Sequence, residues 1–231
     1  MLHRIRSGRK AIRTHYDTKE GRVLPVTGVA GGFGFLLGLG KILAGLLAMS
    51  LFACMNGLCT LGMAAARYSA MAGGLGKGDS LSQYAAYRRA GLIMAAASLF
   101  YVIYSLWSVF HPKAVTVAEI PAITIAAMTF AEIGWNLWGM LKHRKRRAPM
   151  FHTLKTISLG SSLISLVLTQ AALLSFSETG PNPWANGILG AVMGLGAAAL
   201  GGYLVWRNDT LEKQQRKQKG GRSYGSHLSG G

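Results

Sequence analysis

Four apolar stretches, Ala90–Phe110, Ala122–Leu141, Thr156–Phe176 and Gly187–Trp206, constrain this chain more than any other feature. Each holds about 20 residues, enough at ~1.5 Å rise per residue to cross a ~30 Å hydrocarbon layer. Charge is crowded between them: 14% of the 231 residues are charged, against about 25% in an ordinary soluble domain. Half of the chain is apolar and its mean hydropathy is positive. Long uncharged runs separated by short, charge-dense segments are the pattern of a polytopic helical membrane protein.

A fifth apolar region, Val23 to Ala66, is interrupted only by Lys41 and has no polar turn, although it is long enough for two spans. Charge parity resolves it. Arg4, Arg6, Arg9, Lys10, Arg13, Lys19 and Arg22 precede the region, and Arg67, Lys77, Arg88 and Arg89 follow it. Both clusters belong on the cytosolic side under the positive-inside rule, so the chain crosses an even number of times between them. Two spans, 24–44 and 49–66, with a tight turn near Gly45 to Ser50, satisfy this. The later segments agree: 111–119 and 177–187 carry one lysine between them and fall outside, whereas "KHRKRR" (142–147) and the basic tail fall inside. Trp107, Phe110 and Trp184 near one boundary and Tyr84 and Tyr87 near the other suit interfacial aromatic belts. The expectation is an all-α membrane protein: a six-transmembrane-helix bundle with both termini cytosolic and spans at 24–44, 49–66, 90–110, 122–141, 156–176 and 187–206.

Residues 1–23 read as a basic cytosolic arm, since a secretory signal would reach its apolar core sooner. Residues 207–231 read as a basic, Gly/Ser-rich disordered tail, with room for a short helix around Leu211 to Gln218. The net charge of +17 would suggest nucleic acid in a soluble protein, but here the cations flank apolar runs, so topology accounts for them and no nucleic acid is expected. The expected partners are the bilayer itself, anionic lipid at the basic cytosolic loops, and a second copy of the chain in a homodimer. The expected location is the cell membrane, multi-pass, in a bacterial plasma membrane.

Glu132 is a lone carboxylate among Phe, Ile, Trp and Leu, ~15 Å of helix from Lys142 and so close to the midplane. An ionised group there costs at least about 2.5–3.5 kcal/mol, so it must face inward and be paired or neutralised. Asn136 lies one turn away on the same face. Lys41 is the natural partner of Glu132 if the first span starts late, near Phe33; a start at Val23 would carry it toward the outer interface, where it could snorkel.

Hydroxyls mark one face of the third span (Ser98, Tyr101, Ser105, Ser108) and of the fifth (Ser158, Ser162, Ser165, Thr169), a pattern suited to interhelical hydrogen bonding. Gly190, Gly194, Ala198 and Gly202 form a small-residue ridge for a neighbouring helix or a second protomer. Cys54 and Cys59 point apart on one helix, so no disulfide joins them, and no Cys/His cluster suggests a metal. "GGLGKGDS" (73–80) lacks the spacing of a phosphate-binding loop, and no HExxH, GxSxG or paired catalytic carboxylates occur, so neither an enzyme nor a cofactor is expected.

The segment "LGKILAGLLAMSLFACMNGLCTLG" (39–62) resembles the first two spans of cation diffusion facilitators, with a lysine in the first helix and a Gly…Ser turn. The resemblance implies six spans with cytosolic termini and a transport function. It also implies a metal site at four positions, occupied here by Asn56 and Thr60 in the second span and Ser158 and Ser162 in the fifth. None of these supplies the anionic or imidazole ligands that zinc favours, and the family's cytosolic metal-binding domain has no counterpart. The expected function is therefore a small secondary transporter of an ion or small solute, without a metal site and proton-coupled through Glu132. Asn56, Thr60, Asn136, Ser158, Ser162 and Lys41 are its substrate or coupling candidates. The alternative is a non-transporting accessory or partner-binding protein whose basic loops engage anionic lipid or another protein.

Overall fold

A computed structural model describes residues 23–75, 80–111, 119–142, 149–174 and 183–228. They form six helices: α1 (Val23–Leu47), α2 (Leu51–Leu75), α3 (Ser80–Phe110), α4 (Glu119–Lys142), α5 (Pro149–Leu174) and α6 (Pro183–Leu228). Among the described residues, three segments, Leu81–Phe110, Pro149–Ala171 and Trp184–Lys217, are long and apolar enough to cross a membrane, and the part of α1 with described side chains, Gly32–Leu47, is a shorter apolar segment. Burial runs opposite to that of a water-soluble bundle. Lys41 and Glu132 are 0% and 2% exposed, whereas Leu47 is 83% exposed and Leu36, Phe110 and Trp206 also face outward. A membrane-embedded protein accounts for this inversion, since lipid replaces water around the apolar side chains.

Most helices outrun the apolar stretches inside them. α2 continues past residue 66, and α3 begins well before residue 90. Hydrophobicity reports where lipid would lie, whereas helix limits follow from backbone hydrogen bonding and capping. Pro149 and Pro183 open α5 and α6 at the position where the missing N–H costs nothing. The largest difference is at the C-terminal end, expected to be a disordered tail, which continues α6 to Leu228. Helical pairs Lys213–Asp209 (2.7 Å) and Arg216–Glu212 (2.8 Å) support it, and Arg88 of α3 reaches Asp209 at 3.5 Å. The arm at 1–22 and the basic "HRKRR" after Lys142 lie outside the described residues.

The α1–α2 turn falls at Ala48–Ser50, within the expected region. Ser50 N–H donates to Gly45 O (2.8 Å) and Met49 N–H to Leu46 O (3.1 Å), the two bonds of a Schellman cap. The cap places Met49 at φ 47°, a left-handed position usually taken by glycine. Ser50 then starts α2, its Oγ accepting from Ala53 N–H at 3.3 Å. Close helix approach follows: a Cβ on Gly45 would lie 2.7 Å from Cys54 N, and one on Gly57 2.7 Å from Ile42 Cγ1.

α3 and α6 make the most extensive helix pair, while α2 packs on α1, α3 and α5, and α4 on α5 and α1. The apolar core (Met63, Ala66, Met94, Tyr101, Ile157, Ile164, Ala197, Leu204) lies where α2, α3, α5 and α6 meet. The small-residue ridge of α6 is used within the chain. A Cβ on Gly190 would lie 2.6 Å from Ser105 Oγ, and one on Gly194 2.7 Å from Val102 Cγ2. The close-packed row then shifts to Ala197 and Gly201, because a helix of 3.6 residues per turn drifts off a strict four-residue repeat. Ala198 is half-buried and Gly202 faces open space.

Candidate functional site

Four helices bring their polar groups to one place. Because α1 and α2 approach so closely, Lys41 reaches both Asn56 and Thr60, which stand one turn apart on α2. Its Nζ shares its three protons among four acceptors: Asn56 Oδ1 (3.2 Å), Thr60 Oγ1 (3.4 Å), Ser165 Oγ (3.1 Å) and Glu132 Oε2. The pairing with Glu132 occurs although α1 begins at Val23. The register of Lys41 is set by the α1–α2 turn and by the contact of α1 with α4, not by the residue at which the helix begins.

The carboxylate is held on both oxygens. Ser161 Oγ donates to Oε1 at 2.5 Å, and Ser165 Oγ donates to Oε2 at 2.6 Å. Asn56 Nδ2 donates to Ile164 O (3.0 Å) and Thr60 Oγ1 to Asn56 O (3.0 Å), fixing the acceptors around the ammonium. The result is a network in which the ammonium meets the carboxylate and both carboxylate oxygens have donors. That arrangement is needed to offset the desolvation of two buried ions.

Asn136 does not join Lys41. Its Oδ1 accepts from Arg67 Nη2 of α2 at 2.8 Å, forming a second polar contact along the α2–α4 side. Ser158 and Ser162 do not join either. They are half-buried, and Ser162 Oγ donates to Ser158 O at 3.0 Å. The α5 hydroxyls that meet Glu132 are Ser161 and Ser165, again four residues apart but on the neighbouring face. Ser165 belonged to the visible stripe, whereas Ser161 and Arg67 were missed. Arg67 stands seven residues after Thr60, on the same helical face, and the apolar residues after it were the signal that α2 had not ended.

On α3, Ser98, Tyr101 and Ser105 are buried, with Tyr101 beside Asn56 and Ser105. This carries hydroxyls from the Lys41 site toward the α3–α6 contact. Cys54 and Cys59 are free thiols. Among the described residues, no three of His, Cys, Asp and Glu gather in a way that could hold a metal ion. The hydroxyl and amide groups around Lys41 instead make a cage of neutral oxygens with one carboxylate, a donor set suited to an ammonium or another hard cation.

No protein-family model matches this chain, and neither does any curated protein or any solved structure.

Proposed function

We propose that this chain is a six-span protein of the plasma membrane, with both termini cytosolic, that works as a small secondary transporter coupled to protons through Glu132. One observation carries the reading: a buried Lys41–Glu132 pair that ties α1 to α4, with further oxygens from α2 and α5. Intramembrane ion pairs are costly, and those that persist commonly lie on ion or proton pathways. Here the pair links helices remote in sequence, so its charge state governs a tether between them. Moving the proton from Lys41 to Glu132 neutralises both groups and weakens that tether. A cation reaching Glu132 would compete with the Lys41 ammonium for the same oxygens. Either event is a means by which substrate or proton could favour one arrangement of the bundle over another.

The test is flux into liposomes carrying pH-sensitive and cation-sensitive dyes under imposed gradients, comparing wild type with Glu132→Gln. Flux in wild type that disappears in the variant, with expression and oligomeric state unchanged, supports coupling through Glu132. Absence of flux from folded wild type across protons, alkali cations and divalent cations would sink it. A second reading, a non-transporting accessory protein in which the pair is a structural clamp, is favoured by the completeness of the hydrogen bonding around Glu132. Under that reading folded wild type carries no flux with any tested ion, and Glu132→Gln has an effect on stability alone.

A further inference from the structure

Arg67 is 6% exposed and Asn136 is 3% exposed, yet their contact is incomplete. Arg67 Nη2 donates to Asn136 Oδ1, while Arg67 Nε and Asn136 Nδ2 are buried donors without a hydrogen-bond partner among the described residues. The amide cannot be turned to relieve this, because only its oxygen can accept from a guanidinium. On the other side, α1 closes over the group: a Cβ on Gly34 would lie 3.1 Å from Arg67 Nη1. Glu132 stands one turn from Asn136 on α4. Its oxygens, however, are already held by Lys41, Ser161 and Ser165. Among the described residues, the interior polar cluster thus holds two cations against one anion, with two N–H donors left over beside the extra cation. A buried charge without its own counter-charge is strongly unfavourable, as is each buried donor without an acceptor.

We infer that Arg67 and Asn136 form a binding site for a small monovalent anion, whose acceptor atoms take the Arg67 Nε and Asn136 Nδ2 protons. Chloride and small oxyanions such as formate or nitrate share the required chemistry: one negative charge, small size and acceptors open to N–H groups. The site uses N–H groups that the Lys41–Glu132 contact does not, and it does not depend on transport, since it can be measured at equilibrium without a gradient.

The experiment is thermal unfolding of the full chain in detergent, titrated with sodium chloride, nitrate or formate at constant ionic strength, with the bulky anion gluconate as the balancing salt. Wild type should show a saturable rise in Tm, roughly 5–10 °C at ~100 times the Kd, with at least one small anion. The ranking of the three separates a halide site from an oxyanion site. Arg67→Gln should lose the response. Asn136→Asp supplies a carboxylate within the protein and should raise the Tm in gluconate while abolishing the anion effect, so the inference stays testable even if Arg67→Gln fails to fold. A wild-type Tm that is the same in every anion overturns the site. So does an Asn136→Asp protein that retains the full wild-type response.

Discussion

Replacing Lys41 by Met removes the ammonium and leaves the Glu132 carboxylate buried with only Ser161 and Ser165 to hold it. Breaking a buried ion pair from one side typically costs about 3–5 kcal/mol, because the remaining charge keeps its desolvation penalty. Glu132→Gln should cost a similar amount, since it strands the ammonium among Asn56, Thr60 and Ser165, which are neutral. In a chain of this size each single change should lower the Tm by roughly 6–20 °C. The double variant Lys41→Met/Glu132→Gln removes both charges while keeping most of the volume. It should therefore be no less stable than the worse single variant, giving a coupling free energy of about 3 kcal/mol or more. The assay is unfolding followed by tryptophan fluorescence in one detergent for all four proteins, at several pH values. If the singles each cost below about 1 kcal/mol, or the double costs the sum of the two, then the pair does not hold the bundle as described. That outcome would also remove the observation on which the coupling role of Glu132 rests.

Other expectations follow from the helix contacts. Met49→Gly should stabilise the chain by up to about 1 kcal/mol, seen as a higher unfolding midpoint, because glycine takes the left-handed cap position without strain. Gly57→Val should cost about 1–3 kcal/mol by forcing α2 away from Ile42, and it should also weaken the reach of Lys41 to Asn56 and Thr60. Gly194→Leu should destabilise by a similar amount through Val102, whereas Gly202→Ala, facing open space inside a helix, should be neutral to stabilising by up to about 1 kcal/mol, a contrast that thermal unfolding can read directly. Arg88→Ala should lower stability by less than about 1 kcal/mol, and the loss should shrink as salt rises, since its contacts to Asp209 and Glu212 are partly exposed.

Glu132 was legible from its sequence neighbourhood because a carboxylate flanked by apolar residues has few tolerable locations. The α1–α2 turn was legible from charge parity, although the residue taking its left-handed position was not: Met49 carries no local mark of a cap usually made by glycine. The α5 partners illustrate a different limit. Ser158, Ser161, Ser162 and Ser165 crowd slightly more than two turns, so two adjacent faces carry hydroxyls, and only packing against α2 and α4 selects Ser161 and Ser165. Arg67 was hidden by the rule that treats a cation after an apolar run as a loop residue.

The sequence by itself determined that the chain is helical, where its apolar segments lie, and that Glu132 needs an inward partner, because these follow from local periodicity and from the energy of a charge in an apolar medium. Tertiary structure alone decided that Lys41 is that partner, that Arg67 turns inward to Asn136, and that the α6 glycines serve α3. Each depends on the rotation and separation of helices distant in the chain. Those quantities come from side-chain packing summed over whole interfaces, which no single stretch of sequence contains.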